Sequence, residues 1–297
     1  MVGIIVVNYK SYDNTIKCVD SIIGSNPENK YYIYIVDNHS CNESCERLSE
    51  YYDKERRVKI IELEENRGYS SGINSGIKNA KKDGCKYFLA CNNDLLFKKH
   101  TIDYLVKAYN SNENYGVVGP KVIGIDGKYQ QSYKVNTLYT KHLLSKKPLY
   151  YLNRRESGYV SGNKDYEFNG MVAGCCFLFG ENLIDKIGYL DENVFLYYEE
   201  DILGYKLSKN GYLAAVIGNA EVIHFGSTTI GSDSVTNYLY RYISSMYFYR
   251  TYINISKIQL FVLLLINGMS LFAKSLKRPE FREALHQLII EYKRLTK

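Results

Sequence analysis

Hydrophobic positions along this chain fall into two rhythms. Short runs rich in β-branched residues at 3–7, 31–36, 58–61 and 87–91 read as four buried strands. Between them, residues 15–23, 45–52 and 68–80 carry apolar side chains at helical spacing, and Ser40 with Glu43 three positions on has the form of a capping box for the second helix. Strands alternating with helices predict a parallel sheet joined by crossover helices, with ligands at the carboxyl ends of its strands.

Beyond residue 100 the pattern continues with a helix at 101–109, a strand at 116–122 and a tight turn at Asp126-Gly127. Periodicity fails over 129–168, where Lys, Tyr, Ser and Asn dominate, which predicts a variable insertion. A strand at 171–179, a short helix after Asn182, an acidic-fronted helix running to Asn210, and strands at 213–217 and 221–225 complete the expected α/β part. A tyrosine-rich stretch at 234–250 and an apolar segment at 258–273 follow, predicting a helical appendage.

Composition narrows the function classes. With 297 residues, 45% hydrophobic, the chain can bury one large α/β domain plus that appendage. Four prolines and no block of like charge leave little room for long disorder. The first residues lack the basic and small-residue features of a signal peptide and read as a strand. Seven scattered cysteines without a C-x-x-C pair suit reduced thiols in a cytosolic protein.

Charge is unevenly placed. Residues 251–297 hold eight Lys/Arg against three Glu, so this end carries nearly all of the net +6. No recognised nucleic-acid module accompanies it, which argues against nucleic acid as a partner and for an anionic membrane surface. The longest uninterrupted apolar run there, at 260–266, falls well short of the roughly 20 residues that span a bilayer, so the segment is expected to lie flat on a membrane, pack, or form a dimer contact.

Candidate chemistry clusters at predicted strand ends. Asp37 closes the second strand, where a carboxylate can accept a base N–H or ribose hydroxyl, or else cap the following helix. Residues 66–76 gather three glycines at a helix start with neither the dinucleotide nor the P-loop spacing. They permit either close ligand approach or tight helix packing. Asn92-Asn93-Asp94 closes the fourth strand, and a carboxylate there can hold Mg²⁺ or Mn²⁺ on a departing diphosphate, or serve an ordinary turn. Glu199-Glu200-Asp201 crowds three acids beside aromatic residues, a setting that raises at least one carboxyl pKa toward general-base range, or complements a helix dipole. His224 ends a strand as a second metal ligand or a core histidine.

Taken in order, Val6-Val7-Asn8-Tyr9, Val36-Asp37-Asn38, the glycine-rich 66–76, Asn92-Asn93-Asp94, Gly174-Cys175-Cys176 and the segment 195–207 resemble the family-two inverting glycosyltransferases of the GT-A fold, in particular the rhamnosyltransferase-like enzymes of bacterial surface polysaccharide synthesis. The resemblance covers about residues 1–230. It implies a Rossmann-like mixed sheet flanked by helices, with a nucleotide-sugar half at 1–122, an acceptor half at 123–230 and a C-terminal helical appendage at 231–297. It further implies that Asn8, Tyr9, Asp37, Asn66, Gly68, Asn92, Asn93 and Asp94 bind a UDP- or dTDP-sugar, and that Gly174 and Tyr198 meet a glycan or lipid-linked glycan acceptor. Asp94 and His224 would hold Mg²⁺ or Mn²⁺, and Glu200 would be the base with Glu199 in reserve. Two positions depart from the pattern: Asn92 replaces the first acid of the metal motif and Ile202 replaces a later Asp. A sugar-1-phosphate nucleotidyltransferase and a non-catalytic nucleotide-sugar binder are the competing functions, and the expected location is the cytoplasm, peripheral to the inner face of the plasma membrane.

Overall fold

The computed structural model describes residues 1–130, 132–133, 157–158, 164–226 and 234–297. Most of the expected insertion at 129–168 therefore lies outside the described residues. In chain order the elements are β1 (Val2–Asn8), α1 (Tyr12–Gly24), β2 (Tyr31–Asp37), α2 (Ser44–Tyr51), β3 (Val58–Glu62), α3 (Tyr69–Lys82), β4 (Tyr87–Asn92), β5 (Leu95–Phe97), α4 (Thr101–Ser111) and β6 (Tyr115–Gly124). Then come the short β7 (Tyr129–Gln130), β8 (Ser132–Tyr133), β9 (Ser157–Gly158) and β10 (Tyr166–Phe168), followed by β11 (Cys176–Gly180), α5 (Glu181–Ile187), α6 (Glu199–Lys209) and β12 (Leu213–His224). Three longer helices close the chain: α7 (Val235–Thr251), α8 (Lys257–Ser275) and α9 (Phe281–Thr296).

One mixed sheet runs in the order β10-β12-β6-β11-β4-β1-β2-β3, with β5 added to β12 and β7 to β6. Strands β3, β2, β1 and β4 are mutually parallel, while β11 runs antiparallel between β4 and β6. Every residue of β1 is buried, as a strand covered by helices on both faces must be. Since β2 lies on one side of β1 and β4 on the other, the strand order reverses at β1, and the carboxyl ends of β1 and β4 flank the crevice where such sheets bind ligands.

Helix α3 reaches β1 closely because of its glycines. A Cβ on Gly72 would stand 3.1 Å from a Val7 methyl, and one on Gly76 only 2.4 Å from an Ile5 methyl. Tight packing is thus the role of these two glycines.

Several elements differ from expectation. The strands predicted at 213–217 and 221–225 are one strand, β12, whose ladder with β6 shifts register between Ile217 and Glu221. The strand predicted over 171–179 is confined to Cys176–Gly180. Ser40 does not cap α2, which has Glu43 at its N-cap and no side-chain cap bond; the Ser40 hydroxyl turns back to Asp37 instead. The apolar segment forms a continuous 19-residue helix, α8, long and apolar enough by length and composition to cross a membrane, where the uninterrupted run alone was too short.

Two cores result. The larger fills both faces of the sheet; the smaller joins α7, α8 and α9 and takes in Val194 and Ile202 from either side of the acidic segment. All seven cysteines are free.

Candidate active site

At the end of β1 and β2, Asp37 is 1% exposed and accepts three hydrogen bonds: from Asn8 Nδ2 at 2.6 Å, Ser40 N at 2.8 Å and Ser40 Oγ at 2.7 Å. Ser40 Oγ in turn accepts from Lys10 N at 2.8 Å, fixing the sharp turn in which Lys10 adopts φ 56°. Asn8 has no exposed surface, and its amide oxygen accepts from Thr15 Oγ1 at 2.8 Å. Its amide is therefore used within the protein, and Asn8 lies beneath the crevice as a support for Asp37. Tyr9, the next residue, is half-buried, with the Lys10 ammonium 5.1 Å from its ring centroid.

Thr15, on α1, ties the two strand ends together. Its hydroxyl serves Asn8 on one side and accepts from Asn93 Nδ2 at 2.9 Å on the other. The β4 end is further fixed by Asn92 N donating to Cys175 O at 2.8 Å.

The glycine-rich turn forms the adjoining wall. Asn38 Nδ2 donates to Asn66 Oδ1 at 3.0 Å and to Gly68 O at 3.1 Å, and Gly68 N donates to Asn66 Oδ1 at 3.0 Å. Gly68 has φ 95°, and a Cβ there would lie 2.2 Å from Phe195 O, so both conformation and space require glycine. Tyr69 N donates to that same carbonyl at 3.1 Å, which joins the turn to the segment leading into the acids.

Asp94 is 5% exposed, and its Oδ1 is buried with no hydrogen-bond partner. His224 Nε2 stands 3.1 Å from this oxygen. The β5–β12 ladder explains the meeting, because it pairs His224 with Leu95, the residue after Asp94, and Phe225 N donates to Asp94 O at 3.2 Å. Two ligand atoms adjacent on an octahedron with bonds of about 2.1 Å lie about 3.0 Å apart. The pair thus fits one edge of a divalent-cation shell. Among the described residues no group of three or more His, Cys, Asp or Glu side chains could hold a metal. Such an ion would draw its remaining ligands from phosphate oxygens and water.

The acidic segment enters α6 through two consecutive left-handed residues, Tyr197 at φ 66° and Tyr198 at φ 70°. Each costs on the order of 1–3 kcal/mol and persists only where neighbours over-determine it. The Arg241 guanidinium lies 4.8 Å from the Tyr197 ring centroid, and the Tyr198 ring lies 5.6 Å from that of Phe248. The Tyr198 ring thereby packs against the smaller core.

Glu200 faces Gly174, where a Cβ would stand 3.3 Å from its carboxyl carbon. Glu199 is different: its Oε2 is buried without a partner, and burial, reinforced by repulsion from Glu200, holds its pKa well above the usual carboxylate range. The Tyr69 hydroxyl, also buried and without a partner, is pushed up mainly by its own burial, with Glu199 among the lesser causes.

The Cys175 thiol is raised first by burial and then by the charges of Asp94 and Glu200, so both carboxylates act on this one side chain. Asp94 and Glu200 thus both lie near Cys175. Sequence reasoning did not single out Thr15, Ser40, Tyr69 or Cys175 for these roles. A serine three residues after Asp37 was the one visible signal, and it matched a helix cap equally well.

Residues 3–188 match the model for Glycosyl transferase family 2. Over 205 residues the chain is 29% identical to a low-salt glycan biosynthesis hexosyltransferase, Agl10, of Haloferax volcanii, covering 67% of this chain and 58% of that protein. Over 217 residues it is 23% identical to an N-acetylglucosaminyl-diphospho-decaprenol L-rhamnosyltransferase of Mycobacterium tuberculosis, covering 69% of this chain and 70% of that one. Among solved structures it resembles GalNAc-T7 crystallised with UDP, GalNAc and Mn²⁺, with a TM-score of 0.60 at 16% identity over 84% of this chain and 49% of that one. It also resembles residues 1–349 of S. aureus TarS, with a TM-score of 0.52 at 14% identity over 99% of this chain and 89% of that one. At these identities the structural likeness is one of fold, and the fold is GT-A, as the sequence motifs implied.

Proposed function

The chain belongs to glycosyl transferase family 2, and we propose that it moves a hexosyl or rhamnosyl unit from a UDP- or dTDP-sugar to a hydroxyl of a glycan or lipid-linked glycan, with inversion at the anomeric carbon. One observation supports this reading above the rest: Asp94 and His224, 130 positions apart in sequence, meet at 3.1 Å just past the carboxyl end of β4. Asp94 and Glu200 both lie near Cys175, and a leaving-group site close to a base is what a single displacement needs.

In that displacement Asp37 receives the base or ribose, supported by Asn8 and Ser40, and the turn at Asn66 and Gly68 walls the nucleotide. Asn92 and Asn93 set the strand end from which Asp94 projects, and Asp94 and His224 would hold Mg²⁺ or Mn²⁺. When bound, the ion neutralises charge growing on the departing diphosphate. The mixed oxygen and nitrogen pair favours Mn²⁺ of the two, since imidazole is a softer ligand than Mg²⁺ prefers. Glu200 takes the proton of the acceptor hydroxyl, admitted beside Gly174. That oxygen bonds to the anomeric carbon as the bond to the nucleoside diphosphate breaks, and inversion follows from attack on the opposite face.

In this proposal residues 1–122 bind the nucleotide sugar, 123–230 bind the acceptor and 231–297 position the enzyme. The name of the M. tuberculosis relative specifies a sugar on diphospho-decaprenol, which supports a lipid-linked acceptor here, in cell-envelope polysaccharide synthesis at the cytoplasmic face of the membrane. The test is a screen of nucleotide sugars with Mn²⁺ or Mg²⁺ and glycan acceptors. Nucleoside diphosphate and an inverted glycoside should appear together and disappear with a chelator. Release of pyrophosphate would point instead to a nucleotidyltransferase, and tight sugar-nucleotide binding without turnover to a binder.

A further inference from the structure

Helix α8 leaves an apolar row uncovered. Ile258, Phe261, Leu265, Met269, Phe272 and Leu276 are 45–78% exposed and recur at spacings of three and four, so they line one side of the helix and its C-cap. The row is about 27 Å long at 1.5 Å per residue. No charged residue occurs between Lys257 and Lys274. The opposite side is occupied: Leu260, Leu263 and Leu271 have no exposed surface and belong to the smaller core.

Basic residues frame this row. Lys257 and Lys277 are exposed at its ends, and the adjoining α9 carries its own exposed row of Arg282, His286, Ile290, Lys293 and Lys297 at helical spacing. Contact between the Phe261 and Tyr292 rings, 6.0 Å between centroids, sets α9 directly beside the apolar row.

We propose that this face docks on the anionic leaflet of a lipid bilayer, with α8 lying in the interfacial plane. A spanning orientation is opposed by the packed side of α8, which lipid chains would have to displace. A second copy of this chain would bring two basic frames together, whereas anionic headgroups complement them. An apolar row with flanking cations is the composition of an in-plane interfacial helix. This identifies the surface behind the membrane partner proposed above, and it is independent of which sugar donor or acceptor the active site takes.

The native chain contains no tryptophan, so a single Phe272→Trp substitution gives an unambiguous reporter. Its emission should shift to the blue on adding phosphatidylcholine vesicles with about 30% phosphatidylglycerol, and less with phosphatidylcholine alone. In flotation, the full-length chain should rise with the anionic vesicles. F261D/L265D/F272D should reduce partitioning more than about tenfold, and R282E/K293E should abolish the preference for anionic lipid. Hydrolysis of a water-soluble sugar donor, unchanged in these variants, reports an intact fold and site. Flotation of the triple Asp variant equal to the unmodified chain would overturn the proposal. So would absence of flotation combined with a dimer in sedimentation that the triple variant dissociates.

Discussion

Asp94 and Glu200 carry the sharpest predictions because their surroundings give them different tasks. Asp94→Ala removes one of the two proposed ligand atoms standing 3.1 Å apart and should cost about 10²- to 10³-fold in kcat. Glu200→Gln keeps the shape against Gly174 while removing the base, and should cost about 10²- to 10⁴-fold in kcat with little change in sugar-donor KM. Full activity in either variant refutes its assigned role. Glu199 gives a pH prediction instead. Its folded pKa is raised above the ordinary 4.5 by burial first and by Glu200 and Asp201 after, with the Tyr69 and Tyr197 hydroxyls nearby. The unfolded chain releases that proton at lower pH than the folded one, so between the two values folding binds a proton and stability falls as pH rises. Glu199→Gln removes this liability, and its melting temperature relative to the native chain should climb by about 2 °C or more from pH 5 to pH 8. A constant difference across that range would show that Glu199 is ionised in the fold. At this scale the sequence identified the acids but not their partners. Asn8 matched a ligand-facing motif yet is wholly buried, and Ser40 matched a helix cap yet completes the Asp37 network.

Elements were legible where they are long and regular. The parallel strands β1 to β4 and helix α3 announce themselves by apolar runs and helical spacing, and the structure has them within a residue or two of the expected bounds. Strand β5, three residues long, carries no periodic signal, yet it brings His224 to Asp94 across 130 positions of sequence. Such a pairing is written in the ladder of β12, not in local composition. The glycines of α3 were legible as a cluster and ambiguous in purpose, and here packing supplies a test. Gly76→Ala would thrust a methyl to within 2.4 Å of the Ile5 side chain, an overpacking expected to cost about 1–3 kcal/mol. Combined with Ile5→Ala, which removes both Cγ atoms that the new methyl would meet, the loss should be smaller than the sum of the two single losses in a denaturant titration. Additive losses in the double variant would mean that the glycine serves something other than contact with β1.

At the scale of the whole molecule, the two cores divide the site between them. Asn8 and Asp37 stand on strands of the larger core and Asp94 just past the end of β4, before β5, whereas the acidic segment is bracketed by Val194 and Ile202, which belong to the smaller one with α7, α8 and α9. Ile202, where an acid was expected, is thus an anchor: it is 1% exposed and ties the start of α6 to the C-terminal helices. If these contacts fix the start of α6, the C-terminal helices help set where Glu200 stands. Phe248 is the natural place to test this, since it is fully buried and its ring touches Tyr198, the left-handed residue before Glu199. Phe248→Leu should cost on the order of 1 kcal/mol of stability while keeping the chain folded. Nucleotide affinity, measured by calorimetry, should stay within about twofold, because additivity holds between sites without shared partners. Turnover should fall by tenfold or so, since misplacing the base by about 1 Å costs up to 10²-fold. Equal losses in nucleotide affinity and turnover would mean that the cores act as one unit. A loss confined to turnover would establish that a helical segment more than 40 residues downstream of Glu200 positions the base.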